Sequence, residues 1–88
     1  MNIENRATKV YLKSLPPLTV YRFLDDYKIP SPYKEILITV CVNKKEGFPA
    51  MKHLAKEYNI HIEYWTLGRR LKEALEMFRE SHKTYYCQ

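Results

Sequence analysis

The chain holds only two glycines and two cysteines in 88 residues. With glycine confined to positions 47 and 68, no glycine-rich phosphate loop can be written, and no nucleophile elbow is present either. Cys41 lies inside an apolar run and Cys87 stands next to the end, so a bridge would tether a core position to a tail; two free thiols are expected. His53, His61 and His82 fall at none of the spacings of a zinc site, and no metal or cofactor is assigned. No stretch approaches the roughly 20 apolar residues needed to cross a bilayer. The opening MNIENRATKV has no secretory apolar run, which makes the cytoplasm the expected location. Repeats, low-complexity tracts and linkers are missing as well. The one adjacent acidic pair, Asp25 and Asp26, would diverge by about 100° on a helix and reads as a solvated edge. Without converging acid, base or nucleophile groups, an enzyme is not expected.

What is present fits one small domain spanning 1–88. Hydrophobic residues at 45% and charged residues at 28% are ordinary for a globular chain and exclude compositional disorder. The net charge of +5 suits a polyanionic partner such as nucleic acid or an acidic protein surface. That charge is spread out: residues 1–42 carry six basic and four acidic side chains, residues 43–88 nine and six. Eight tyrosines and Trp65 bring aromatics to 14%, which serves a small core and equally suits a binding interface.

Apolar spacing predicts an all-α fold of three to five helices. Pro16, Pro17 and Thr19 introduce a helix over 18–29, striped by Val20, Phe23, Leu24 and Tyr27 and stopped by Pro30. Ser31 as N-cap and Pro32 in the first turn start another, with Tyr33, Ile36, Leu37, Val40 and Cys41 at helical spacing and Gly47 as its stop. The run ILITVCV at 36–42 is rich in β-branched residues and also compatible with a buried strand, which would make the fold α+β. Residues 1–15 have a weaker pattern, with Val10, Tyr11, Leu12 and Leu15 suiting a short helix or an extended arm against the core, whose Arg6, Lys9 and Lys13 could touch a nucleic-acid partner or simply be solvated. The tail from Ser81 is expected to fray, with Tyr85 and Tyr86 free to pack back on the domain or on a second copy.

Two further helices account for the segment from Gly47 to Phe78. Gly47 and Pro49 mark the entry to the first, striped by Phe48, Met51, Leu54, Ala55 and Tyr58. Tyr64, Leu67, Leu71, Ala74, Leu75 and Phe78 stripe the second, and Asn59 stands at the reversal, where Asn tolerates a left-handed backbone. On the second helix, Trp65, Arg69 and Lys72 project opposite the apolar stripe, flanked by Thr66 and Arg70. Its beginning carries three cations and no carboxylate, while Glu73, Glu76 and Glu80 follow. This order opposes the helix dipole, which favours anions at the N-terminal end. Either an outside ligand accounts for the arginines, or Arg69 and Glu73 form an ordinary i,i+4 surface pair.

Leu54-Ala55, the turn after Asn59 and the order Thr66-Leu67-Gly68-Arg69-Arg70-Leu71 resemble the helix-turn-helix of DNA-binding proteins, with a core near 32–80 and a turn longer than usual. The resemblance covers roughly a third of the chain. It implies a transcriptional regulator or accessory factor of bacterial or phage type that reads the major groove of double-stranded DNA with the helix at 62–80. In that reading Thr66, Arg69 and Arg70 face bases or nearby phosphates, Trp65 and Lys72 flank them, and Lys44, Lys45, Lys52 and Lys56 steady the backbone. A homodimer is expected, since one small motif contacts few base pairs. The alternative is a protein-interaction module that modulates a component of the transcription or replication machinery through its outward aromatics.

Overall fold

A computed structural model describes residues 1–86, with side chains described through Thr84. The expected contacts of Tyr85 and Tyr86 and the thiol of Cys87 lie outside that description. Among the described residues five α-helices make up the fold: α1 (Ile3–Ser14), α2 (Pro17–Asp26), α3 (Tyr33–Leu37), α4 (Gly47–Tyr58) and α5 (Tyr64–Tyr86). Ile38–Val42 carries α3 onward as a π-helix. Among the described residues there is no strand, and no helix is long and apolar enough to cross a membrane.

The extended-chain alternative at 36–42 gives way to helix for a reason visible in its surroundings. Ile38, Thr39, Val40 and Cys41 are all buried, because the π-helical segment is packed against α1, α2 and α4 at once. A helix covered on every side shows no apolar stripe, so its sequence reads like a buried strand. Thr39 enters this interior with its own hydroxyl paired, donating to the Glu35 carbonyl at 2.8 Å. Burial holds the Cys41 thiol up at about 11, against the opposing pull of Lys13 and Lys44.

Helix ends follow local chemistry, with some departures from expectation. Asn2 caps α1 by accepting from the Asn5 backbone N–H at 2.7 Å, and Leu15, held extended before Pro16, ends it. Residues 3–14 are thus a helix and no arm. Its inward face is Asn5, Thr8 and Leu12, so the apolar Val10 and Tyr11 are exposed. α2 stops at Asp26, ahead of Pro30: Lys28 turns left-handed (φ 54°) and Ile29 donates to the Leu24 carbonyl at 3.1 Å. The helix at 33 starts after Pro32, and Ser31 donates its hydroxyl to the Glu35 carboxylate at 2.8 Å instead of capping a backbone N–H. The stop after Val42 comes at Lys44 (φ 57°), with Gly47 (φ 65°) opening α4. Asn59 ends α4 left-handed at φ 56°, the reversal read from the sequence. In a chain with two glycines, Lys28, Lys44 and Asn59 therefore hold left-handed backbone with side chains attached.

α5 is the spine. It packs on α1, α3 and α4, and Leu67, Leu71, Ala74, Leu75 and Phe78 lie at or below a tenth of full exposure along its inner face. Each large apolar side chain so buried contributes about 1.5–3 kcal/mol. The helix continues through Ser81, where fraying was expected, because His82 packs face to face with Phe78 at 5.3 Å and shares a hydrogen bond with the Tyr27 hydroxyl at 2.7 Å. On α4 the inward residues are Ala50 and Leu54; Phe48 and Tyr58, assigned to the buried stripe by spacing, are exposed, and so is Tyr64 on α5. Phe48 and Tyr64 instead stack on each other outside the core, ring centres 4.6 Å apart.

Candidate nucleic-acid interface

The N-terminal half of α5 has a fixed inner side and a bare outer side. Leu67 and Leu71 anchor it in the core, and the 3.6-residue period then turns Trp65, Arg69 and Lys72 to solvent as one stripe. Trp65 is 75% exposed, a large apolar area for a side chain with nothing packed over it. Among the described residues Arg69 and Lys72 have no hydrogen-bond or ion-pair partner, so both charges are available to a ligand. Thr66 and Arg70 are half-buried on the flanks. Arg70 is engaged: its guanidinium donates to Glu73 at 2.7 Å across one turn. The pairing foreseen for Arg69 with Glu73 is therefore made by Arg70.

Gly68, in the same stripe, was missed as a site residue. It sits in the interior of α5, exposed, with no atom within 4 Å of where a Cβ would stand. A glycine inside a helix costs about 0.5–1 kcal/mol relative to alanine, and no neighbour in the fold demands it here. An uncovered helix backbone at this point permits close approach by something outside the molecule. The sequence signal was there, since an isolated glycine within a helical pattern calls for a packing or binding reason.

The supporting lysines divide. Lys52 and Lys56 are exposed one turn apart on α4, and Lys45 is exposed in the loop before it, none with a partner among the described residues. Lys44 is exposed too but partnered: its ammonium donates to the Lys13 and Cys41 carbonyls and ties the end of α1 to the π-helical segment. The third N–H of the ammonium remains free for a phosphate.

Beside the α5 stripe runs a groove of about 300 Å³ whose floor includes Val40 and Leu71 and whose rim carries Glu46, Tyr64, Trp65 and Gly68. Glu46 occupies the N-cap position of α4 but caps no backbone group. Its two carboxylate oxygens instead accept from Lys9 at 2.8 Å and Lys13 at 3.1 Å, both on α1. The Lys9 ammonium, opposed by partial burial and assisted by Lys13, holds the Glu46 carboxyl below the ordinary carboxylate range. No sequence signal could have paired these residues, which stand 37 and 33 positions apart. With α1 folded as a helix, Lys9 and Lys13 belong to the same side of the molecule as the groove.

α4 and α5 are joined through residues 59–63, and Glu63 starts α5 by accepting at its carbonyl from the N–H groups of Thr66 and Leu67. Among the described residues no group of three His, Cys, Asp or Glu side chains converges as a metal site. Comparison with protein-family models, curated proteins and solved structures finds no match to this chain.

Proposed function

We propose that this protein binds double-stranded DNA, laying the N-terminal half of α5 in the major groove in the manner of a helix-turn-helix regulator or accessory factor. The observation that carries the reading is the Trp65, Gly68, Arg69 and Lys72 stripe: two unpaired cations and an uncovered backbone on a helix locked in place by Leu67 and Leu71. Arginine grips phosphate, or the O6/N7 edge of guanine, through paired hydrogen bonds. Lys52, Lys56 and Lys45 supply sequence-independent attraction to the backbone. Thr66 and Arg70 border the base-reading stripe, with Arg70 held by Glu73 until a ligand competes for it. Two copies on a two-fold site complete the reading, since one helix spans few base pairs. A cytoplasmic location belongs to the same proposal, through the bacterial or phage origin that the helix-turn-helix resemblance implies.

Selection of bound sequences from a random duplex pool tests this, followed by titration of the winner at several salt concentrations. A recovered motif whose affinity falls steeply with salt is the expected result. Failure to enrich any sequence, with no salt-dependent binding of bulk duplex, overturns it. A second reading draws on the exposed Phe48, Tyr64 and Trp65, which also suit a protein interface in the transcription or replication machinery. Salt-insensitive association with a protein and indifference to DNA favour that alternative.

A further inference from the structure

We infer that Lys9 and Lys13 of α1 form a phosphate-binding clamp for the same DNA ligand, and that Glu46 occupies this clamp as an internal stand-in for the phosphate. The inference rests on the DNA-binding reading above and adds to it a site on a different helix together with a device that limits affinity.

The geometry is that of an anion already bound. Two ammonium groups converge from one face of α1 on the two oxygens of one carboxylate, at 2.8 and 3.1 Å. Lysines one turn apart repel unless an anion lies between them. A phosphate diester likewise shares one negative charge between two oxygens of similar span, so a pair of ammoniums set for Glu46 is also set for a backbone phosphate. The lysine side chains are mostly covered, at 19% and 30% exposure, whereas that of Glu46 is 47% exposed. The carboxylate is thus the more accessible partner and the one free to swing out. Nothing at its own helix end holds it back, because it caps no N–H of α4.

Location connects the clamp to the reading helix. Glu46 lines the groove whose rim includes Trp65 and Gly68, so a duplex seated on α5 brings its sugar-phosphate edge toward this carboxylate. With Glu46 in place the clamp offers one net positive charge and presents an anion to the incoming strand. When Glu46 turns out and a phosphate replaces it, both lysines neutralise DNA. The exchange leaves affinity lower than the bare cation count of this face implies, and it sharpens the dependence on how closely the duplex seats.

The test measures duplex affinity and its salt slope for the full chain, using the sequence selected above, in the wild type, Glu46→Gln, the double variant Lys9→Gln/Lys13→Gln, and Arg69→Ala. Circular dichroism and thermal unfolding verify the fold of each. Glu46→Gln is expected to bind about three- to tenfold more tightly, by removing an anion next to the strand. The double variant is expected to bind more weakly, with the logarithmic salt slope reduced by about one, the signature of one lost phosphate contact. If the wild type binds and Arg69→Ala weakens it, while Glu46→Gln and the double variant leave affinity and slope unchanged, the clamp is refuted and the DNA reading stands. If the double variant weakens binding but Glu46→Gln does so too, the stand-in role is refuted. Absence of DNA binding by the wild type overturns the clamp and the reading together. Should the double variant unfold, Lys9→Gln alone decides, with an unaltered salt slope counting against the clamp.

Discussion

The two halves of α5 are built on one buried stripe but treat their polar side chains differently. In the C-terminal half, Glu76 accepts from the Asn5 side-chain amide at 3.4 Å, Arg79 donates to the Asn5 side-chain oxygen Oδ1 at 2.6 Å, and His82 is bound to Tyr27 within a cage of rings. Those groups hold α1 and α2 to the spine. In the N-terminal half, Arg69 and Lys72 hold nothing, Trp65 covers nothing, and Gly68 gives up helix stability for an open backbone. A folded chain gains little from such an arrangement by itself. Polar groups spent on internal bonds mark the structural half, and groups left unspent mark the half proposed to face a ligand.

Substitutions can break this contrast. The largest effect is expected at Phe78, fully buried with its ring against Phe23, Tyr27 and His82. Phe78→Ala should cost about 3–5 kcal/mol in urea denaturation through lost transfer energy and a residual cavity. A loss under about 1 kcal/mol would mean that the C-terminal half does not anchor the fold. Next comes Arg69→Ala, expected to weaken specific DNA binding by about 1–3 kcal/mol while stability stays within about 0.5 kcal/mol. Equal affinity for the selected duplex would contradict a reading role for this side chain.

Gly68→Ala sharpens the contrast because its two effects have opposite signs. The added methyl meets open space, so stability should rise by about 0.5–1 kcal/mol. Duplex affinity should fall, since the methyl stands where the ligand approaches. A variant that is stabilised and binds normally would show that nothing comes close to the backbone there.

The interior shared by both halves provides a pH test. The Cys41 thiol is raised by burial from 9.0 to about 11, so above pH 9 the unfolded chain releases a proton that the native state retains. The stability contribution of this group is complete below the unfolded value and is lost as pH rises through the folded one. Cys41→Ala should therefore flatten part of the decline in stability between pH 9 and 11, measured against the wild type. For the same reason alkylation of Cys41 at pH 8, followed by peptide mass spectrometry, should be slow until the protein unfolds. Arg70→Ala carries the smallest expected effect on folding, because its pairing with Glu73 is a surface contact within one helix.

Much of the architecture could be read in the sequence, because helix stripes and caps depend on neighbours a few residues apart. Val20, Leu24, Leu54, Leu67, Leu71, Leu75 and Phe78 are buried where their spacing put them, and Asn59 reverses the chain where a left-handed residue was needed. Trp65, Arg69 and Lys72 share one outward face for the same periodic reason. Tertiary contacts decided the rest. The run at 36–42 is helical because three neighbouring helices wrap it, a circumstance no local pattern records. Phe48 and Tyr58 lie outside because their positions on α4 do not face the core that Ala50 and Leu54 join. Lys44 is tied to the Lys13 carbonyl, and Lys9 and Lys13 share a carboxylate, through contacts that span more than 30 residues. Periodicity tells which way a side chain points from its own helix; which group it meets there depends on how the helices are packed together.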